Sequence, residues 1–273
     1  MNQIQPGSIV VAVDGSPDAD RAVLWAAEQA HLERRPLAIV TAVPDGDAAN
    51  DAAVAVARRW RPGLEAHGAV VEGAPRQVLR DLSTQAHLMV LGSRGRGPVG
   101  SAVLGSVSSS VSKHAGCTVV VCRPGTVGRV HHGILVAADG MPGSLPVIEF
   151  AFRQASLRSL PLTVVNAAGE DDPLAGVLLA ESVAGFGELF PEVHVSRDLG
   201  RDFGDETRPT ESGHWDMVVV GRPHAESTRR RTGPTATQVV EHAHTLVAVV
   251  PEAPDQEPAA TGTNDPAFSA PRP

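Results

Sequence analysis

Tyrosine is absent from this chain of 273 residues, and all aromatics together make up only 3% of it. Few ring platforms exist on which bases could stack, and a net charge of −8 repels phosphate backbones. Both deficits count against a nucleic-acid-binding protein. Long apolar runs are also missing: none approaches the roughly eighteen residues that a membrane helix needs. The opening MNQIQPGSIVVAVDG has neither the basic nor the apolar region of a signal peptide. Cysteine is limited to Cys117 and Cys122, both in the run CTVVVC. An odd spacing on one extended strand points them to opposite faces, out of reach of a mutual disulfide, and they read as small buried hydrophobes. Two thiols without a disulfide pattern suit a reducing compartment, so a cytoplasmic protein with no membrane contact is the expectation.

Apolar residues reach 42%, almost all Ala, Val and Leu, enough for cores in two domains. The chain in fact contains itself twice. Val10-Val-Ala-Val-Asp14-Gly15-Ser-Pro17 lies over Leu135-Val-Ala-Ala-Asp139-Gly140-Met-Pro142, an offset of 135 − 10 = 125. Ala30, Leu32, Pro36, Leu37 and Val40 fall on Ala155, Leu157, Pro161, Leu162 and Val165 without a gap. Near the ends the halves align again, Met89-Val-Leu-Gly92 with Val218-Val-Val-Gly221 and Lys113-His-Ala with Glu241-His-Ala.

Each unit reads as alternating strands and helices, which implies a parallel sheet with right-handed crossovers. Residues 9–13 form a continuous β-branched run of the kind buried on both faces. Ala22, Val23, Ala26, Ala27 and Ala30 follow at helical spacing. Strands are expected at 37–43, from 70 onward, at 88–91 and at 118–122. Helices are expected at 48–61, from Pro75 to about 86, and at 107–114, with Val107, Val111 and His114 on one stripe. The second unit repeats this over 134–250, with Gly185, Gly200 and Gly204 loosening its middle. Beyond Pro251 the composition turns Pro- and Ala-rich, which predicts a disordered tail over 252–273.

The informative segment is Gly92-Ser-Arg-Gly95-Arg-Gly-Pro-Val-Gly-Ser-Ala-Val-Leu-Gly105-Ser106. It leaves a buried strand and ends in a helix whose first amides lack partners and carry the positive end of the dipole, a phosphate cradle. Glycines would let the backbone approach the oxygens, and Ser106 could cap the helix and donate to a phosphate. No Asp or Glu occurs from Gly92 to Lys113, whereas Arg94 and Arg96 do. No lysine and hydroxyl pair follows the last glycine, as a P-loop requires, and a Rossmann fingerprint would follow the first strand. Gly97, Pro98 and Gly100 read as hinge and turn residues. The serines of 106–112 read as a polar helix face. His131-His132 and His242-Ala-His244 lack acid or thiol partners at metal-ligand spacing, so no metal site is expected.

Gly92, Gly95, Gly105 and Ser106 together resemble the nucleotide loop of the ATP-binding universal stress proteins: Gly, two residues, Gly, nine residues, Gly, then Ser or Thr. Val-Ala-Val-Asp14-Gly-Ser16 is similar to that family's first strand and turn, and Gly73-Ala-Pro75 to its entry into the third helix. The resemblance implies two tandem α/β domains of the adenine nucleotide alpha hydrolase-like type, over 7–125 and 130–251. Each would be a five-stranded parallel sheet between helices, the two forming an intrachain pseudo-dimer. It also implies that Asp14 faces the nucleoside or a bound Mg2+, that Ala42 reads the adenine edge, that Arg94 lines the loop, and that Val107 gives an amide to the phosphates. Homodimers are usual in the family.

The second copy departs from this pattern: His224 stands at the place of Gly95, Pro234 follows Gly233, and Glu226 enters the loop beside Arg229, Arg230 and Arg231. Asp139 is therefore read as a turn residue. No nucleophile elbow stands out, and no carboxylate is expected beside the first glycine loop to orient water, so binding with at most slow ATP hydrolysis fits the residues. Three readings remain open: a nucleotide-responsive stress regulator with an unidentified protein partner, a nucleotide-independent scaffold with vestigial loops, and a metabolic enzyme on the same frame.

Overall fold

The computed structural model describes residues 4–42, 46–95, 104–123, 132–167, 173–197, 214–222 and 236–253. Arg96, Gly97, Pro98 and Gly100 of the first loop, His131, Gly200 and Gly204, and the substituted loop with His224, Glu226, Arg229 to Arg231, Gly233 and Pro234 lie outside the described residues. So does the expected tail from 254 onward.

The N-terminal half runs β1 (Ile9–Ala12), α1 (Pro17–Glu33), β2 (Leu37–Thr41), α2 (Asp47–Trp60), β3 (Ala66–Val70), α3 (Pro75–Ser83), β4 (Leu88–Gly92), α4 (Ser106–His114) and β5 (Thr118–Cys122). The C-terminal half runs β6 (Ile134–Ala138), a 3-10 turn at Pro142–Ser144, α5 (Leu145–Arg158), β7 (Leu162–Asn166), α6 (Pro173–Leu189), β8 (Val195–Arg197), β9 (Met217–Arg222), α7 (Ala236–His242) and β10 (Leu246–Pro251). Among the expected bounds only the third strand is displaced, ending at Val70 where the sequence placed its start. Its Ala66-His-Gly-Ala-Val has no apolar run to announce it; Gly68 is there because a Cβ would lie 2.0 Å from Asn50 Oδ1. Asn50, buried on α2, donates to the carbonyl of Ile39 at 2.9 Å and of Ala69 at 3.3 Å and so ties β2 to β3.

All ten strands form one sheet, ordered β3-β2-β1-β4-β5-β10-β9-β6-β7-β8. Side chains alternate between its faces: Ile9 and Val11 enter one core layer and Val10 the other. The first layer is closed by α1, α2, α5 and α6, the second by α3, α4 and α7. Alanines do most of the work on α1, where Ala22, Ala26, Ala27 and Ala30 are fully buried, so a near-absence of aromatics is compatible with close helix-to-sheet packing. Cys117 and Cys122 are free and buried, one in each layer, as their odd spacing requires. Burial pushes their thiols up to about 11 and about 12.

Within each half every pairing is parallel, and the halves meet where β5 and β10 pair antiparallel, with Val120 opposite Ala248. These two are equivalent in the duplication, since the offset that carries Lys113 to Glu241 is 128 and 120 + 128 = 248. A local two-fold axis thus passes between them, as in an isologous dimer interface. Two arginines cross this seam. Arg123, just after β5, donates to the carbonyls of Val240 and Glu241 (2.8 Å to the latter) at the end of α7. Arg222, at the end of β9, donates to Ser112 O at 2.8 Å and to Ala115 O at the end of α4. Each half therefore caps the carbonyl end of the other's last helix with a cation, where the dipole favours it. Farther out, Arg158 of α5 stacks 4.9 Å above the Trp25 ring and donates to Gln29 Oε1 at 2.6 Å.

Arg123→Ala leaves two helix-end carbonyls without their donor at a closed seam. It should lower unfolding stability by roughly 2 kcal/mol in urea titrations. Neither thiol should react with Ellman's reagent at pH 8 in the native protein, and both should react in guanidinium, because the thiolate is the reactive species.

Candidate functional site

In a doubly wound sheet a ligand crevice opens at the carboxyl ends of the strands where the order reverses, here between β1 and β4. A cavity of about 520 Å3 lies at that point, a size ordinary for small-molecule sites. All eight residues singled out from the sequence line it. Asp14 follows β1, and Ala42 follows β2. Gly92, Arg94 and Gly95 leave β4, while Gly105, Ser106 and Val107 enter α4. One wall is apolar, built from Val40, Leu79, Leu91 and Leu104, with Pro75 at the start of α3. The opposite wall is the backbone of the α4 N-terminus.

Gly105 rather than Ser106 is the N-cap of α4, with extended dihedrals (φ −61°, ψ 146°) and no side-chain cap. Ser106 is already the first helical residue, so its expected capping role falls to its neighbour. The absence of a capping oxygen matters: Gly105 offers no side chain to accept from the first amides of the helix, which belong to residues lining the cavity. The serines of α4 do not form one polar face either. Ser108 and Ser112 are buried, and Ser108 donates to Gly92 O at 2.7 Å, whereas His114 is exposed.

The glycines serve the protein's own packing before they serve any ligand. A Cβ on Gly92 would lie 2.8 Å from the backbone carbon of Asp18, because the first turn of α1 rests directly on the end of β4. A Cβ on Gly95 would lie 2.6 Å from Asp14 Oδ2. Asp14 therefore stands beside the glycine loop, contrary to the expectation that no carboxylate does; its strand and the loop are remote in sequence and adjacent only through the β1–β4 pairing. Asp14 Oδ1 accepts from the Ser16 amide at 3.0 Å, a turn that Asp139 repeats by accepting from Met141 at 3.1 Å. Ser16, not Asp14, caps α1, accepting from the Ala19 amide at 3.3 Å, and it donates to Arg94 O at 3.2 Å.

Sequence reasoning passed over Asp18. This carboxylate is buried in the first turn of α1, accepts from Ser93 Oγ at 2.6 Å, lies 3.4 Å from Arg94 Nε and pairs with Arg21. Burial pushes its carboxyl up, but the Ser93 hydrogen bond and the two guanidiniums more than offset that and hold it below the usual 3.8. Arg94 is consequently a held group at the cavity edge and not a loose loop charge. The available signal was the position itself, an acid two residues past the Ser16 cap and a hydroxyl directly after Gly92.

Known proteins resemble this chain. A universal stress protein of Mycobacterium tuberculosis is 31% identical over an aligned length of 254, covering 78% of this chain and 86% of its own. The chain belongs to the universal stress protein family. The model of that family matches residues 7–59 and 46–123, both within the half whose glycine pattern is intact. A second universal stress protein of M. tuberculosis is 31% identical over 89% of this chain and 96% of its own length. The solved structure of a universal stress protein from Archaeoglobus fulgidus covers 91% of this chain and 99% of that one, with a TM-score of 0.65 and 19% identity, a likeness of fold.

The glycine contacts separate two substitutions in this universal stress protein. Gly92→Ala meets backbone that cannot swing aside and should cost about 1–3 kcal/mol of stability by chemical denaturation. Gly95→Ala meets the end of a side chain, so it should leave the unfolding midpoint nearly unchanged while displacing the Asp14 carboxylate.

Proposed function

We propose that this universal stress protein binds ATP in the N-terminal half and acts as a nucleotide-responsive stress regulator. The observation that carries the reading is the uncapped N-terminus of α4 opening onto a cavity whose other wall is apolar. Phosphates would take the amides of Ser106 and Val107 and the Ser106 hydroxyl, with the Arg94 guanidinium at the edge. Adenine would lie against the Val40, Leu79 and Leu104 side, where the backbone of Ala42 meets its edge. Mg2+ accompanying the triphosphate needs hard oxygen ligands, and Asp14 is the acid on the described cavity wall that supplies one. When bound, the ion would neutralise phosphate charge.

No histidine or second carboxylate joins Asp14 among the described residues lining the cavity. An attacking water would lack a paired acid and base, which favours occupancy over turnover and hence a signalling role through an unidentified protein partner. Among the described residues no helix is long and apolar enough to cross a membrane, in keeping with the cytoplasmic location this reading assigns.

Thermal unfolding tests the proposal. ATP with Mg2+ at a hundred times its Kd should add about 2.7 kcal/mol to stability. Gly105→Asp should abolish that shift and preserve the fold, because Asp is a favoured N-cap whose carboxylate would consume the amides that phosphates need. A wild-type protein indifferent to ATP would leave a nucleotide-independent scaffold.

A further inference from the structure

We propose that Asp18 is the positioning residue of the nucleotide loop, clamping Ser93 and Arg94 so that the β4 end and the α4 N-terminus are set before any ligand arrives. The clamp rests on the nucleotide-binding reading for its purpose, but its geometry stands by itself. Three contacts converge on one buried side chain: the Ser93 hydroxyl, the Arg94 guanidinium and the Arg21 guanidinium one helical turn away. Ser93 is itself buried, and its carbonyl accepts from the Gly105 amide at 2.8 Å. The order of connection is thus Asp18 carboxylate, Ser93 hydroxyl, Ser93 carbonyl, Gly105 amide, and Gly105 is the cap of the helix that faces the cavity. Asp18 is not itself among the residues lining the cavity; it acts through Ser93 and Arg94.

The duplicated half supplies an internal control. At the offset of 125 the counterpart of Asp18 is Gly143, and at the offset of 129 that carries Gly92 to Gly221 the counterparts of Ser93 and Arg94 are Arg222 and Pro223. All three members of the clamp are missing from the half whose glycine pattern is also lost. In that half the room over Gly221 is taken by a different acid, Glu252 from beyond β10, whose Oε1 lies 2.1 Å from where a Gly221 Cβ would stand. The Ala253 amide donates to Gly143 O at 3.0 Å, holding the residues just after β10 there. A carboxylate thus stands beside Gly221 as well, but the residue after that glycine is an arginine where the N-terminal half has the serine of the clamp.

The test uses the full chain and two ligands, ATP with Mg2+ and adenosine, titrated by calorimetry. Adenosine lacks the phosphates that α4 would hold. Asp18→Ala and Ser93→Ala should each weaken ATP roughly tenfold, the value of a hydrogen bond to a charged group, and leave adenosine unchanged. Asp18→Asn, which can still accept from Ser93, should recover part of the loss. Equal loss of both ligands would reduce Asp18 to a general structural residue and overturn the proposal, as would wild-type ATP affinity in Asp18→Ala. Amide hydrogen exchange provides the second readout: the Gly105 amide should exchange faster in Asp18→Ala and in Ser93→Ala than in wild type, with or without nucleotide. If wild type bound neither ligand, the function proposed above would fail, and the exchange result would still decide the clamp.

Discussion

The first turn of α1 lies on the end of β4 with no space for a methyl group between them. That contact forces glycine at 92, buries Asp18 beside Ser93, and brings the residues that leave β4 under the residues that follow β1. Much of the site is a consequence of this approach. Once Gly92 is pinned, Ser93 is oriented to accept from Gly105, and α4 must begin where its amides face the crevice. Asp14 then meets Gly95 because β1 and β4 are hydrogen-bonded neighbours. Glycine loops are commonly explained by the room they make for phosphate oxygens. Here Gly92 is required by the protein's own backbone, so that position of the pattern would be demanded even in the empty protein.

The same contact explains how an acidic chain gathers cations at one edge of its sheet. Around Asp18 stand Arg21 and Arg94, and Arg123 lies near enough for both Arg94 and Asp18 to act on it electrostatically. Burial raises the cost of the Arg123 guanidinium, and the Asp18 carboxylate lowers it. The positive field at the carboxyl edge of β4 is therefore local and compensated from below, with its uncompensated side being the helix N-terminus above.

Most strand positions, their parallel pairing within each half and the two half-sheets were legible because buried parallel strands are short β-branched runs and the duplication marks them twice. The third strand was not: Ala66-His-Gly-Ala-Val carries no such run, and its place depends on Asn50 and a close approach at Gly68 that sequence cannot display. The eight residues named from the sequence, which come from one loop pattern and two strand ends, all line one cavity. What escaped were the roles that arise from distant segments meeting. The cap of α4 moved from Ser106 to Gly105, Ser16 took the cap of α1, Asp14 came against Gly95, and Asp18 surfaced as a buried anchor. The two caps are shifts of one or two residues, whereas the Asp14 and Asp18 contacts close separations of tens of residues through the sheet.

The fate of the second copy follows from what the seam demands of it. A five-stranded half-sheet ending at β5 would expose a bare edge of unpaired amides and carbonyls. β10 covers that edge, with equivalent residues Val120 and Ala248 facing one another across the local axis. Arg222 must reach the carbonyls of α4, and α7 must offer its own carbonyls to Arg123. These requirements fall on β9, β10 and the C-terminal end of α7, and none of them falls on a glycine loop. The copy could keep every strand while its loop drifted from Gly to His and from Ser to Pro, because its contribution to the first half is made by backbone pairing and two guanidiniums. Since Arg222 grips the far end of the helix whose near end lines the cavity, the copy that lost the loop pattern still holds α4 of the other half in place.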